Sequence, residues 1–225
     1  MKYQMILSVS TLFLFSIASK AQIDKGQKIL SGSISLDVSN TKIDTMGVQK
    51  NFNVLFSPSV GKAIKNNLVF GVAIIAGGGS TQSENLLNNS IDKGHQWIAG
   101  ARVFLNKYYP LGKGFSFIAG VGTGFSHNNY KLESGNSTSQ VTTTTTKSNE
   151  FHLGANAGLV YSFNKKWMAN LNLNNFADFY VRNQNVELKT STNSKKQAYR
   201  QVGFSSLINY SQLFSNMSFG VSYIL

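Results

Sequence analysis

The segment Phe151-His-Leu-Gly-Ala-Asn-Ala-Gly-Leu-Val-Tyr-Ser-Phe163 alternates large or apolar side chains with small or polar ones. Its odd-numbered positions carry Phe, Leu, Ala, Ala, Leu, Tyr and Phe, whereas its even-numbered positions carry His, Gly, Asn, Gly, Val and Ser. Successive side chains of a β-strand point to opposite faces, so a period of two predicts a strand with one apolar face. Its aromatic ends enclose about the 9–11 residues with which a tilted strand crosses a bilayer.

The same alternation recurs along the chain and predicts an all-β fold of eight antiparallel strands arranged as an up-and-down transmembrane barrel. The seventh strand loses phase at Asn174-Asn175, which indicates a bulge. The stretch 199–210 also looks like a strand. Because single-chain bacterial barrels have an even number of strands, we interpret it as the outer half of an interrupted last strand. The predicted strands cover 30–39, 52–61, 68–77, 97–106, 115–125, 151–163, 167–174 and 216–225.

The links between predicted strands alternate in length. Short turns at one end and long polar loops at the other are typical of outer-membrane barrels, with the short turns and both termini in the periplasm. The long loops could contact an extracellular ligand. Short links fall at about 61–66, 107–113 and 164–166, and long ones at about 41–50, 80–95, 129–149 and 184–198.

The first residues predict export. Lys2 makes the start positive, an apolar run extends from Met5 to Ala18, and Ser19-Lys20-Ala21 provides the small residues of a cleavage site. This order is typical of a cleavable signal peptide. The alternative, an anchor helix, is disfavoured because the run is shorter than the roughly 20 residues that span a bilayer. We expect residues 1–21 to be a signal peptide cleaved near Ala21 and residues 22–225 to form one barrel domain.

Composition restricts the classes of function. Without cysteine the chain has no disulfides, thiolate metal sites or cysteine nucleophiles. The net charge is +12, but the lysines are scattered rather than arranged as a stripe along one helix. An exported protein rarely meets nucleic acid. We therefore expect the basic residues to keep turns soluble and to attract outer-membrane lipids and lipopolysaccharide, not nucleic acid.

The two faces of the strands distinguish a membrane barrel from a soluble ligand-binding barrel. The polar face is rich in Ser, Gly and Asn with few charges, which suits a narrow lumen better than an aqueous exterior. Lipid offers no hydrogen-bonding partners, so a sheet within it has to close on itself. Aromatic residues of the apolar face gather near strand ends and predict two interfacial girdles. They are Phe52, Trp97, Phe125 and Phe151 at the long-loop end, and Phe115, Phe117, Tyr161, Phe163, Trp167 and Tyr223 at the short-turn end.

These features resemble the small eight-stranded outer-membrane barrels of the OmpA and OmpX type, also described as outer-membrane β-barrel or porin-family domains. The resemblance covers essentially all of 28–225 and includes the closing segment Asn216-Met-Ser-Phe-Gly-Val-Ser-Tyr-Ile-Leu225. That segment looks like the insertion signal read by the barrel assembly machinery, with Phe219, Val221, Tyr223 and Leu225 as its residues. The family usually ends in an aromatic residue, whereas this chain ends in leucine. The absence of a following peptidoglycan-binding domain favours the OmpX-like short form.

A few titratable residues are expected on the lumen face. Arg102 lies in the middle of a strand and points inward, where an unpaired charge is costly. Asp37 and His152 share that face, and Glu150 and Asp178 are further candidates. We hypothesise a polar network of Arg102, Asp37, Glu150 and His152 that plugs the barrel. The alternative is an arginine that reaches lumen water.

No motif points to catalysis. Ser126, His127 and either Glu133 or Glu150 are conceivable catalytic partners, because some outer-membrane barrels act on lipid or peptide. A nucleophile needs a base within hydrogen-bond reach and a third group to orient that base, and no spacing here specifies such geometry. The three scattered histidines also lack the paired spacing of a metal site. We therefore predict no catalytic residues, cofactor or metal.

The sequence thus predicts an integral outer-membrane barrel with a largely filled lumen and a role in structure, surface interaction or limited permeation. Two alternatives stay open: a barrel enzyme acting on lipid or peptide, and a soluble secreted barrel that binds a ligand.

Overall fold

The computed structural model describes residues 22–43, 47–85, 90–136, 141–190, 192–206 and 217–225. Within these ranges nine strands form one antiparallel sheet. The predicted signal peptide lies outside the described residues. The strands are β1 (Lys28–Ile43), β2 (Gly47–Lys65), β3 (Leu68–Asn85), β4 (Ser90–Gly112), β5 (Phe115–Asn136), β6 (Thr142–Ser162), β7 (Trp167–Lys189), β8 (Ser194–Ser206) and β9 (Met217–Ile224). No helix in the described ranges is long and apolar enough to cross a lipid bilayer.

Hydrogen bonding closes this sheet into a ring of eight strands. Each of β1 to β7 pairs with the next strand along the chain, and β9 pairs with both β7 and β1. The last contact joins Ile29 to Ile224 and Ile34 to Phe219. The ring therefore has no free edge at this level, and the predicted eight-stranded up-and-down barrel is confirmed.

The last position of the ring is shared by two strands. β9 pairs with residues 167–173 of β7, and β8 pairs with residues 177–189 on the same edge of that strand. The prediction of an interrupted last strand is confirmed for 199–206, while 207–210 lie outside the described residues. The register between β6 and β7 jumps from Ala155↔Ala177 to Ala157↔Leu173, which confirms the predicted irregularity at 174–175.

The strands are much longer than predicted, and most of the expected long loops are strand. β4 has 23 residues, and β5 and β6 have 22 and 21. The predicted loops at 41–50, 80–95, 129–149 and 184–198 were therefore wrong over most of their length. These strand ends are mainly polar on both faces, so they lack the alternation that identifies a half-buried strand. The threonine run 142–146 is β-branched and favours extended backbone.

The short-turn end is tightly built. Asn67 and Lys113 adopt left-handed backbone with φ of 59° and 54°, and Gly112 and Gly114 flank the second of these turns. Left-handed backbone suits asparagine and glycine, which explains the composition of the first turn and the flanks of the second. The link predicted at 107–113 is shorter than expected, because β4 continues to Gly112.

The wall separates two environments. Outward side chains such as Val38, Ile74 and Phe219 are 71%, 63% and 63% exposed. The buried apolar residues lie inside the barrel at its short-turn end. Large apolar side chains on the outside and small or polar ones in most of the lumen are the arrangement expected of a barrel in lipid.

Candidate functional site in the barrel lumen

The short-turn end of the lumen is filled by an apolar plug. Its inward side chains come from the strands of the ring and from the segment before β1, and they are almost completely buried. The plug consists of Ile23, Ile29, Ala63, Val69, Tyr108, Ile118, Val160, Met168 and Ile224. The sequence patterns did not predict this feature, because Ile118, Val160 and Met168 sit at the polar phase of their strands. The signal that could have indicated the plug is that all three residues lie close to short turns.

The segment before β1 closes the same mouth. The N–H of Ile23 donates to Asn67 Oδ1 at 2.9 Å, and the N–H of Asn67 donates to the Ile23 carbonyl at 2.8 Å. The N–H of Gly26 donates to the Ala63 carbonyl at 2.8 Å, and the N–H of Ala63 donates to the Gln27 carbonyl at 2.9 Å. These bonds hold the Ile23 side chain, 2% exposed, against the plug.

Above the plug lies a layer of serine and asparagine side chains. Ser31 Oγ donates to Ser222 Oγ at 2.8 Å, and Asn170 Nδ2 donates to the same oxygen at 2.9 Å. Asn156 Nδ2 donates to Asn106 Oδ1 at 3.3 Å on the other side of the lumen. The cavity in this layer has a volume of about 80 Å³, which is room for only a few water molecules.

A charged layer follows, between β6 and β7. Arg182 Nε and Nη2 both lie 2.5 Å from Glu150 Oε2. His152 Nδ1 lies 3.6 Å from Asp178 Oδ1. Asp178 is 6% exposed, and no described residue gives its Oδ1 a hydrogen bond. A second cavity of about 170 Å³ is lined by Glu150, His152, Asp178 and Arg102.

The structure brings together part of the hypothesised polar network. Arg102 lines both cavities, and its Nε has no hydrogen-bond partner among the described residues. A Cβ on Gly124 would lie 2.7 Å from both Arg102 Cβ and His152 Nε2, so that glycine leaves room for the two side chains. Asp37 stands apart on β1, opposite Asn53, and does not line the charged cavity.

Sequence reasoning did not identify Arg182 as the partner of Glu150. The two residues face each other only because β7 contains an irregularity at 174–175, which sets the register of its outer half. A single sequence does not determine that register, although an arginine in phase with Asp178 was a visible signal.

The conceivable catalytic group is only partly assembled, because Ser126 and Glu150 are cross-strand partners beside the second cavity, while His127 and Glu133 lie elsewhere. Ser126 is buried on the lumen face of β5, while the next residue, His127, packs outside against Trp97 with ring centroids 5.1 Å apart. His127 Nδ1 lies 2.7 Å from Asn149 Oδ1, and Glu133 is bound by Lys131 at 2.6 Å. In the described part of the chain, no three His, Asp or Glu side chains are placed to hold a metal ion.

The predicted girdle residues lie on the outer wall. At the level predicted for the long-loop end, four aromatic side chains are about half exposed: Phe52, Trp97, Phe125 and Phe151. At the short-turn end, the aromatic rings contact each other. Their centroid distances are 4.8 Å for Trp167–Tyr223, 4.8 Å for Phe115–Tyr161, 5.2 Å for Tyr161–Phe163 and 6.4 Å for Tyr109–Phe117.

The spacing of the two levels fits a bilayer. Phe151 and Tyr161 are ten residues apart on β6. That is about 33 Å along a strand and about 25 Å along the axis at a tilt of about 40°. The closing segment is part of this wall, with Phe219, Val221 and Leu225 exposed.

Comparison with known proteins agrees with this architecture. The family model described as outer membrane protein beta-barrel domain matches residues 7–223. Among curated proteins, none matches the chain. The outer membrane protein OprG from Pseudomonas aeruginosa superposes with a TM-score of 0.52 at 11% identity, covering 90% of this chain and 97% of OprG.

Two further structures superpose less well. The N-terminal beta-barrel domain of Pseudomonas aeruginosa OprF gives a TM-score of 0.38 at 11% identity, covering 89% of this chain and 100% of that domain. A major outer membrane protein from Thermus thermophilus gives 0.43 at 11% identity, covering 88% and 99%. Since the family model spans most of the chain, this protein belongs to the outer membrane protein β-barrel domain family and resides in the cell outer membrane.

Proposed function

We propose that this protein is a sealed barrel that anchors an extended β-structure at the cell surface, where it acts through surface contacts rather than as a diffusion pore. The observation that carries the proposal is the apolar plug, in which Ile23, Val69 and Ile118 are at most 3% exposed. An ion crossing this layer would lose its hydration without gaining polar partners, which is costly. The cavities above the plug are small, about 80 and 170 Å³.

The surface role is supported by the length of the strands. β6 continues nine residues beyond Phe151, from Glu150 to Thr142, and β5 continues eleven residues beyond Phe125. At the usual rise and tilt, the wall rises about 20 Å or more above the outer aromatic level. Apart from a few exposed apolar residues such as Ile91 and Leu188, both faces of this extension are polar, so it is suited to water and to contact with polar partners.

The proposal includes no catalytic activity. Ser126 and His127 occupy opposite faces of β5, so neither can activate the other. The charged side chains of the lumen pair across one pair of strands, Glu150 with Arg182 and Asp178 beside His152. Such contacts are typical of a lumen held together by side chains.

Conductance in planar bilayers tests the proposal. The mature protein should give no stable conductance steps. The double variant Ile118→Ser/Val160→Ser, which puts hydroxyls into the plug, should admit ions. Val121→Ser on the outer wall of β5 is the matched control and should stay closed. Stable steps from the unmodified protein would overturn the proposal.

A further inference from the structure

The outer wall of β1 to β6 carries two recesses, one above the other. The upper one, which we call the basic recess, has a volume of about 470 Å³ and is lined by Lys50, Phe52, Lys93 and His95. The lower one, the apolar groove, has a volume of about 600 Å³. Val60, Val72, Ile74, Ala101, Val103 and Phe125 line the groove from the membrane side.

Strand register gives the basic recess its order. Lys50 lies opposite Gln82, and Gln82 lies opposite Lys93, so the two lysines flank one strand. Their Cα atoms are therefore about 10 Å apart. At this distance the two long side chains can both reach one phosphate group, or each can reach a separate phosphate group. One step nearer the membrane, Phe52, Ser80 and His95 form a parallel row.

The residues that line the recess include two lysines and no carboxylate, although Glu133 lies opposite Lys93 on the neighbouring strand. Neither Lys50 nor Lys93 forms an ion pair with another described residue, and both are exposed. Of the two nearby carboxylates, Glu133 is bound by Lys131 at 2.6 Å, and Glu84 accepts a hydrogen bond from Gln82 at 2.9 Å. The hydrogen bond and charge of Lys131 lower the pKa of Glu133, and the charges of His95 and Lys93 lower it further.

The two recesses are spaced like the two parts of a lipid. His95 and Ala101 are six residues apart on β4. That is about 20 Å along the strand and about 15 Å along the axis at a tilt of about 40°, half of a hydrocarbon core about 30 Å thick. Between them Trp97 projects from β4, whereas its neighbours on β3, Gly78 and Ala76, are small, so an extended chain can run along β3 beside Trp97 from recess to groove.

We infer that this face binds one phosphorylated glycolipid of the outer leaflet, with its phosphate groups in the basic recess and an acyl chain in the apolar groove. Lys50 and Lys93 supply cations for the phosphates. Asn40, Ser80 and Gln82 line the same recess and supply the polar groups that sugar hydroxyls need. A glycolipid uses both sets, whereas phosphatidic acid, which has a phosphate and no sugar, uses only the lysines.

Binding of lipid A to the purified mature protein in neutral detergent, followed by native mass spectrometry, tests the inference. Lys50→Gln/Lys93→Gln should weaken binding about 30-fold, because each lysine near an anionic surface contributes about fivefold. The control Lys147→Gln/Arg200→Gln removes two exposed charges on the other side of the barrel and should change the affinity less than about threefold. Ala101→Trp, which fills the groove, should weaken binding about tenfold without changing the recess. Each variant is first checked for a heat-dependent gel shift, so that a misfolded barrel is not scored.

Several results would overturn the inference. Equal losses in the two double variants would indicate general attraction to charge. Equal binding of dephosphorylated lipid A would remove the role of phosphate, and equal binding of phosphatidic acid would exclude recognition of sugar. Absence of lipid A binding to the unmodified protein would overturn the whole inference. The binding assay in detergent does not depend on ion passage. A barrel that conducts ions but binds lipid A would contradict only the proposed sealed barrel, and a sealed barrel that does not bind lipid A would contradict only this inference.

Discussion

Ile23 and Asn67 hold each other through two reciprocal hydrogen bonds. The Asn67 side-chain oxygen accepts from the N–H of Ile23 at 2.9 Å, and the Asn67 N–H donates to the Ile23 carbonyl at 2.8 Å. The carbonyl of Asn67 also accepts from the N–H of Tyr108 at 2.8 Å. One turn residue thus joins the amino-terminal segment, the turn between β2 and β3, and β4 beneath the plug.

We predict that Asn67→Ala lowers the free energy of unfolding by about 2–3 kcal/mol. Alanine loses the bond to Ile23, worth about 1 kcal/mol, and needs about 1–2 kcal/mol to hold a φ of 59°. Asn67→Gly should lose only the hydrogen-bond part, since glycine accepts this backbone without strain. The measurement is denaturant unfolding of the protein in detergent or vesicles.

Asn66→Ala is the control for this prediction. Asn66 Oδ1 accepts from the N–H of Lys25 at 3.0 Å in an exposed position, where water can replace it. Its loss should cost less than about 0.5 kcal/mol. If Asn66→Ala and Asn67→Ala lowered the free energy of unfolding equally, the hydrogen bonds between Asn67 and Ile23 would contribute no more to stability than an exposed turn contact.

Glu150 and Arg182 allow a direct test of the charged layer. Their side chains are 21% and 38% exposed, so solvent screens part of the attraction. A double-mutant cycle with Glu150→Gln and Arg182→Gln should therefore give a coupling energy of about 1 kcal/mol. Additive losses would mean that the contact contributes nothing to stability.

This contact also shows how far the sequence determines the lumen. The period of two locates a strand because alternate side chains meet different media, and it identified the eight-stranded ring correctly. Cross-strand partners depend on register, and register here depends on the irregularity at 174–175. Glu150 was therefore predicted on the lumen face, while Arg182 was not assigned to it.

The apolar plug was missed for a related physical reason. Alternation separates the two faces of a strand, but it does not report how the lumen changes along its axis. Ile118 and Val160 occupy the inward phase and become plug residues only because both lie next to short turns. The long outer strands were also missed, since a strand with water on both sides has no apolar face to repeat.

Arg102→Ala should lower the thermal stability of the barrel or raise its ion leakage. The arginine occupies space between the two lumen cavities and packs beside His152 over Gly124. Its removal should enlarge these cavities and cost about 2 kcal/mol, a shift of the unfolding temperature on the order of 5 °C. Arg102→Met keeps most of the volume and separates packing from charge. No change in unfolding temperature or leakage on Arg102→Ala would contradict a plugging role.

Gly100 marks a place where the wall admits no side chain. A Cβ there would lie 2.6 Å from the Phe125 carbonyl oxygen and 3.1 Å from Ser126 Cα, so the neighbouring backbone would have to move. Gly100→Ala should therefore destabilise the barrel by about 1–3 kcal/mol. Gly32→Ala is the matched control, because its Cβ would meet only Phe56 at 3.8 Å. That change should be neutral or slightly stabilising in the same unfolding assay.

The direction of the barrel in the membrane can be tested without background, because the chain contains no cysteine. Short turns on the periplasmic side put Lys165 below the membrane and the outer half of β6 above it. Lys147 and Lys165 are both exposed, so a thiol at either position is accessible once reagent reaches it.

On intact cells, a maleimide too large to enter the periplasm should label Lys147→Cys and leave Lys165→Cys unlabelled. After the outer membrane is permeabilised, both variants should react equally. Labelling of Lys165→Cys on intact cells, with Lys147→Cys protected, would reverse the orientation and put the extended strands in the periplasm.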